Sequence, residues 1–128
     1  MIDWDKLISA AKSVRENAYA KFSGFEVGAA LLTDDGKIIT GCNVENSSFG
    51  LTICAERTAV FKAVSEGHKQ FAAIAIVSQS DQPARPCGAC RQVLFEFNPD
   101  LEIACANTNG IVDKFNLSDL LPEGFRLR

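Results

Sequence analysis

The stretch Cys54–Ser78, "CAERTAVFKAVSEGHKQFAAIAIVS", changes its period partway along. Its first part reads as a helix ended by Gly67, and "FAAIAIVS" is a near-continuous apolar run, the pattern of a strand buried on both faces. On its N-terminal side, "FEVGAALLTDDGKIITGCNV" (Phe25–Val44) is two strand-like runs joined by an Asp-Gly turn, which predicts a β-hairpin. On its C-terminal side, "GACRQVLFEFN" (Gly88–Asn98) predicts a second helix stopped at Asn98-Pro99. Two further strands, "LEIACAN" and "IVDKFN", flank a "TNG" turn and are expected to be antiparallel, and "LSDLLPEGF" is a short helix and turn. At the other end, Asp3–Ala20 reads as a helix with Trp4, Leu7, Ile8, Ala11 and Val14 in one apolar stripe.

This order is α/β, with a mixed sheet of five strands. A strand–helix–strand unit is normally a right-handed parallel crossover. Applied twice, the rule makes Lys37–Asn43, Phe71–Val77 and Leu101–Ala106 run in one direction. Both crossover helices then begin at the carboxyl edge of the sheet, where open α/β sheets bind ligands.

The chain has 128 residues, 47% hydrophobic and 23% charged, which fits one soluble globular domain spanning residues 1–128. Its start, "MIDWDKLISAAKSVRENAY", lacks a basic region, an apolar core and a cleavage site, so cytoplasmic residence is expected, with no membrane association. Net charge is −3 and no Lys/Arg cluster occurs, which argues against a nucleic-acid partner but not against a small nucleoside.

Five cysteines, Cys42, Cys54, Cys87, Cys90 and Cys105, in a chain without export signals point to metal or catalysis rather than disulfides. Cys54 opens one crossover helix and "PCGAC" (Pro86–Cys90) opens the other, so the predicted topology brings three thiols to one edge. Free N–H groups and the positive dipole end at a helix N-terminus favour thiolate. Three thiolates suit Zn²⁺, and three protein ligands rather than four mark a catalytic site that keeps a place for water. His68, the only histidine, falls roughly 20 Å away along the helix at about 1.5 Å per residue. Cys42 ends a strand beside the site; as a fourth ligand it would make the zinc structural. Strand alternation puts it on the face opposite Asn43.

Glu56 lies two residues after Cys54, placed as a proton carrier or simply as an acid favoured by the helix dipole. Arg57 opposes that dipole. Three thiolates around Zn²⁺ carry a net −1, and a guanidinium donating to sulfur offsets it. Asn43 and Glu45, in "GCNVENSSFG", offer an amide and a carboxylate suited to sugar hydroxyls, or a polar turn.

"CAERTA" together with "PCGACRQVL" resembles the small, homotetrameric, zinc-dependent cytidine deaminases, and the likeness runs over nearly the whole chain. Zinc deaminases carry H-x-E with P-C-x-x-C, Cys being admitted for His; here Cys54-x-Glu56 and Pro86-Cys87-x-x-Cys90 fill that pattern. The resemblance implies a three-layer α/β/α sandwich and one Zn²⁺ per subunit. It also implies active sites shared between the subunits of a homotetramer. By the same resemblance, Asn43 and Glu45 grip the ribose and Phe25 stacks on the pyrimidine. The Ala55 carbonyl and Glu56 bind the cytosine amino group and N3, and Phe125 reaches in from a neighbouring subunit. Two departures stand out. Phe49 lies where relatives often have Tyr, and "AKFS" at Ala20–Ser23 stands where relatives often read "APYS".

The activity implied is hydrolytic deamination of cytidine and 2′-deoxycytidine to the uridine forms, with ammonia released, as in pyrimidine salvage. Two rivals are a deaminase of a nucleoside antibiotic such as blasticidin S and, from another class, a structural zinc module that binds a partner. Arg57 weighs against the first, since that group is understood to lack an arginine after the catalytic Glu. A fourth ligand would be needed for the second.

Overall fold

The structure is a computed structural model that describes residues 1–127. Its elements are α1 (Trp4–Val14), β1 (Val27–Thr33), β2 (Ile38–Cys42), α2 (Ala55–Ser65), β3 (Phe71–Ser78), α3 (Gly88–Phe97), β4 (Glu102–Asn107), β5 (Val112–Asn116) and α4 (Leu117–Leu120), with short 3₁₀ turns at Arg15–Asn17 and Phe49–Leu51. The sheet order is β2-β1-β3-β4-β5. β1 is antiparallel to both β2 and β3, β3 and β4 are parallel, and β5 is antiparallel to β4. So β2, β3 and β4 share one direction, as the crossover rule requires.

One face of the sheet packs on α1 through Leu7, Ala11, Ala30, Ala73, Ala75, Val77 and Ala106. The other packs on α2 and α3 through residues that include Ala55, Ala59, Val60, Leu94, Ile74, Ile76 and Ile103. The result is the three-layer α/β/α sandwich. The small residues on both faces let the helices lie close to the strands. Two glycines set the closest approaches. A Cβ at Gly28 would lie 2.0 Å from the Ala11 carbonyl oxygen in α1, and one at Gly41 would lie 2.4 Å from the Ala59 nitrogen in α2.

α1 is shorter than the sequence pattern implies. The helix tightens to 3₁₀ at Arg15–Asn17, and Ala18 turns to extended backbone. The reason is tertiary. Tyr19 donates its N–H to the Asn43 carbonyl at 2.9 Å and accepts from the Glu45 N–H at 2.8 Å, so the chain leaves the helix to bridge the segment after β2. Val44 also exchanges both backbone hydrogen bonds with Ile53, each at 2.9 Å. That pairing seats the loop ahead of α2.

Because Gly41 lies under the first turns of α2, Gly41→Ala should destabilise the protein by about 2–3 kcal/mol in urea unfolding, the scale of core overpacking. Gly50→Ala, where a Cβ meets nothing within 4 Å, should shift stability by less than about 0.5 kcal/mol.

Candidate active site

Cys54 is the N-cap of α2 and Cys87 the N-cap of α3, both extended at ψ 154° and 168°, and neither makes a side-chain capping bond. Both helix starts therefore keep free N–H groups and their positive dipole ends near the thiols. Cys90 sits in the first turn of α3, buried, so that the three sulfurs lie within 4.8 Å of one another. Cys54 Sγ is 3.8 Å from Cys87 Sγ, and Cys87 Sγ is 3.5 Å from Cys90 Sγ. Tetrahedral zinc with Zn–S near 2.3 Å separates its sulfurs by about 3.8 Å, so the cluster fits Zn²⁺ in both donor type and spacing.

Among the described residues this is the one group of three or more His, Cys, Asp or Glu side chains that could hold a metal. Cys42 and Cys105 stand outside it. Burial pushes the thiol of buried Cys105 up to about 12, and partial burial raises that of half-buried Cys42. His68 is half-buried beyond the last turn of α2, beside Asp34 and Asp35 and away from the sulfurs.

The thiols are electrostatically unequal. Cys54 is lowered to about 5, first by its interaction with Cys90 and then by Arg57, while Cys90 is raised by that same interaction and by burial. Arg57 Nη2 donates to Cys54 Sγ at 3.4 Å, and the sulfurs raise the guanidinium above its usual range. Glu56 is only 5% exposed. Burial, with the charge on Cys54 adding to it, pushes its carboxyl up to about 7.

A cleft of about 300 Å³ opens beside the cluster. Cys54 and Cys87 face it together with Phe25, Asn43, Glu45, Ala55 and Glu56, whereas Cys90 stands behind. Asn43 is buried and its amide is already engaged: Oδ1 accepts from the Val27 N–H at 2.9 Å, and Nδ2 donates to the Phe25 carbonyl at 2.7 Å. Glu45 accepts the N–H groups of Phe22 and Ser23 at 3.0 and 3.1 Å and the Ser23 hydroxyl.

Two expected residues lie outside this cleft. Phe49 is 72% exposed and lines an adjoining cavity of about 250 Å³ with Phe22, Ser23, Glu45 and Thr52. Two of the positions that depart from the expected pattern meet there, Phe22 and Phe49 packing edge-on at 5.6 Å. Phe125 is 66% exposed, held through its carbonyl by Gln92 Nε2 at 2.9 Å, and does not reach the cleft of its own chain.

Ser23, Thr52, Ala84 and Arg85 also line the cleft, and sequence reasoning missed them. Arg85 directly precedes "PCGAC", and that adjacency was the available signal. Its guanidinium is tied to Asp113 Oδ2 at 3.2 Å and to the Pro83 carbonyl at 3.0 Å.

The family model for the cytidine and deoxycytidylate deaminase zinc-binding region matches residues 1–113, and the chain belongs to that family. Within the family it is similar to a cytidine deaminase from Sporosarcina psychrophila, 49% identical over 125 residues, 97% of this chain and 92% of that protein. The crystal structure of a cytidine deaminase from Burkholderia pseudomallei superposes with a TM-score of 0.93 at 52% identity, covering 98% of this chain and all of the other. A blasticidin-S deaminase from Bacillus cereus is more distant, 36% identical over 104 residues, 75% of this chain and 74% of that protein. No helix among the described residues is long and apolar enough to cross a membrane.

If Cys54, Cys87 and Cys90 hold the metal, elemental analysis should find about one zinc per chain in the parent protein, as a three-thiolate site requires. Alanine at any of the three should bring it close to zero, while Cys42→Ala and Cys105→Ala should leave it unchanged.

Proposed function

We propose that in this zinc-dependent cytidine deaminase Cys54, Cys87 and Cys90 hold the metal, Glu56 carries the protons and the neighbouring cleft seats the nucleoside. The observation that carries this is the placement of a buried carboxyl, Glu56, in a cleft walled by two sulfurs of a three-thiol cluster. When bound, zinc supplies Lewis-acid activation of water near neutral pH.

Glu56 does the rest of the proton work. A carboxyl near 7 can take a proton from water and return it at neutral pH with little bias either way. It passes that proton to N3 of the cytosine ring, which makes C4 electrophilic toward the oxygen of the same water; once the C4–O bond has formed, Glu56 takes the remaining proton from that oxygen and gives it to the amine as the C4–N bond breaks. Cytidine and water give uridine and ammonia, and Glu56 ends as it began. Ala55 lines the cleft, and by the family resemblance its carbonyl would accept from the cytosine amino group.

Phe25, 40% exposed at the cleft wall, offers its ring to the base. Asn43 and Glu45 face the sugar. Arg57, donating to Cys54, withdraws negative charge from the sulfurs and so protects the Lewis acidity of the site. Exposed rings at Phe22, Phe49 and Phe125 fit an assembly in which subunits cover one another's clefts, as the homotetrameric reading requires. Cytoplasmic nucleoside salvage is the setting that matches this chemistry.

Glu56→Ala should keep its zinc but lose about 10³–10⁴-fold in kcat for cytidine, measured by the fall in absorbance on deamination. Near-normal turnover would defeat the role of Glu56. Arg57→Gln should weaken zinc binding roughly 10–100-fold in competition with a chelator, with the helix content unchanged by circular dichroism. Across cytidine, deoxycytidine, CMP, free cytosine and blasticidin S, the two free nucleosides should be turned over best. A preference for any other would defeat the substrate assignment.

A further inference from the structure

We propose that Ser23 is a positioning residue for the nucleoside, tying the sugar-side carboxylate of Glu45 to the base-side wall at Phe25. The proposal rests on the assignment of the cleft to a cytosine nucleoside.

The geometry is a short relay. The Ser23 hydroxyl donates to Glu45 Oε2, and its oxygen accepts from the Phe25 N–H at 3.0 Å. A hydroxyl has one proton, and an ionised carboxylate can only accept, so the direction of the relay is fixed. Phe25 is then tethered at both ends of its backbone, by Ser23 at the N–H and by Asn43 Nδ2 at the carbonyl, 2.7 Å away. Its ring projects from a frame built by the same two side chains, Asn43 and Glu45, that face the sugar.

A count of hydrogen-bonding capacity sharpens this. A carboxylate offers about four acceptor sites. Glu45 spends two of them, through Oε1, on the N–H groups of Phe22 and Ser23, and one, through Oε2, on the Ser23 hydroxyl. One site remains on Oε2, enough for a single ligand hydroxyl. These bonds, the Ser23 hydroxyl foremost, hold the Glu45 carboxyl below its usual range, so it remains an acceptor at neutral pH. Asn43 likewise keeps one donor and one acceptor site free after its two bonds to backbone.

Removing the Ser23 hydroxyl has two consequences together. Glu45 Oε2 loses the partner that orients it, and the Phe25 N–H loses its acceptor. Ser23 is hydrogen-bonded to neither Glu56 nor a sulfur, so the loss belongs to binding and not to proton transfer.

The test is steady-state kinetics with cytidine on the zinc-loaded full chain, for the parent, Ser23→Ala, Ser23→Thr, Glu45→Gln and the Ala/Gln double variant. Ser23→Ala should raise KM about tenfold, the scale of one hydrogen bond to a charged group, with kcat within about threefold. Ser23→Thr, which keeps the hydroxyl, should stay within about threefold of the parent in both. In the Glu45→Gln background, Ser23→Ala should raise KM by clearly less than the tenfold expected in the parent, because the charged Ser23–Glu45 contact is already weakened there while the Ser23–Phe25 bond is still lost. If the Ala variant is too unstable to assay, Ser23→Cys, a weaker donor, should raise KM about threefold by the same logic.

Three results would overturn the proposal: an Ala or Cys variant with a parental KM, a loss confined to kcat, or fully multiplicative effects in the double variant. A parent enzyme that turns over no cytosine nucleoside would overturn the reading of the cleft, and the proposal with it. An active parent with unmoved variants overturns the proposal alone.

Discussion

The shared direction of β2, β3 and β4 is the constraint on which the site depends. It makes α2 and α3 begin at the same sheet edge, and so brings Cys54 and Cys87 to within 3.8 Å although they are 33 residues apart in the chain. Local stability is given up to do this. An N-cap favours Ser, Thr, Asp or Asn, whose side chains bond the first helical N–H groups, and substituting a residue without that bond costs about 1 kcal/mol. Neither cysteine makes the bond. The sheet and the α2 packing at Gly41 hold these helix starts in place without it.

The same cluster sets the local electrostatics. Negative charge at the thiol cluster disfavours a further one beside it, and Glu56 is buried there. Burial is the larger cause of its raised pKa, with the charge on Cys54 second. Arg57 acts in the opposite sense on Cys54. Burial and the charge at the sulfurs together account for two neighbouring residues of opposite sign. One is kept protonatable near neutral pH, and the other is placed against the helix dipole because the sulfurs outweigh it.

Most of the frame was legible in the sequence because its signals are local. The Asp-Gly hairpin, the apolar run at Phe71–Val77 and the stops at Gly67 and Asn98-Pro99 each depend on a few adjacent residues. The crossover rule then placed the helix starts. The end of α1 was not legible, because the chain leaves the helix to pair Tyr19 with Val44, a contact 25 positions away. The fixed spacing of C-x-E and P-C-x-x-C exposed the metal cluster. The relay through Ser23 has no such signature. A serine in a turn is common, and only the folded chain sets it against a carboxylate 22 residues further on. For Asn43 and Glu45 the sequence suggested side chains free for a ligand, whereas the structure shows both engaged with backbone, with limited capacity left over.

The central claim is that three cysteines, and not four, surround the zinc and leave one position open toward the cleft. X-ray absorption at the zinc edge measures this directly. Three sulfur scatterers near 2.3 Å and one lighter atom are expected. Four sulfurs, with Cys42 completing the shell, would contradict the claim.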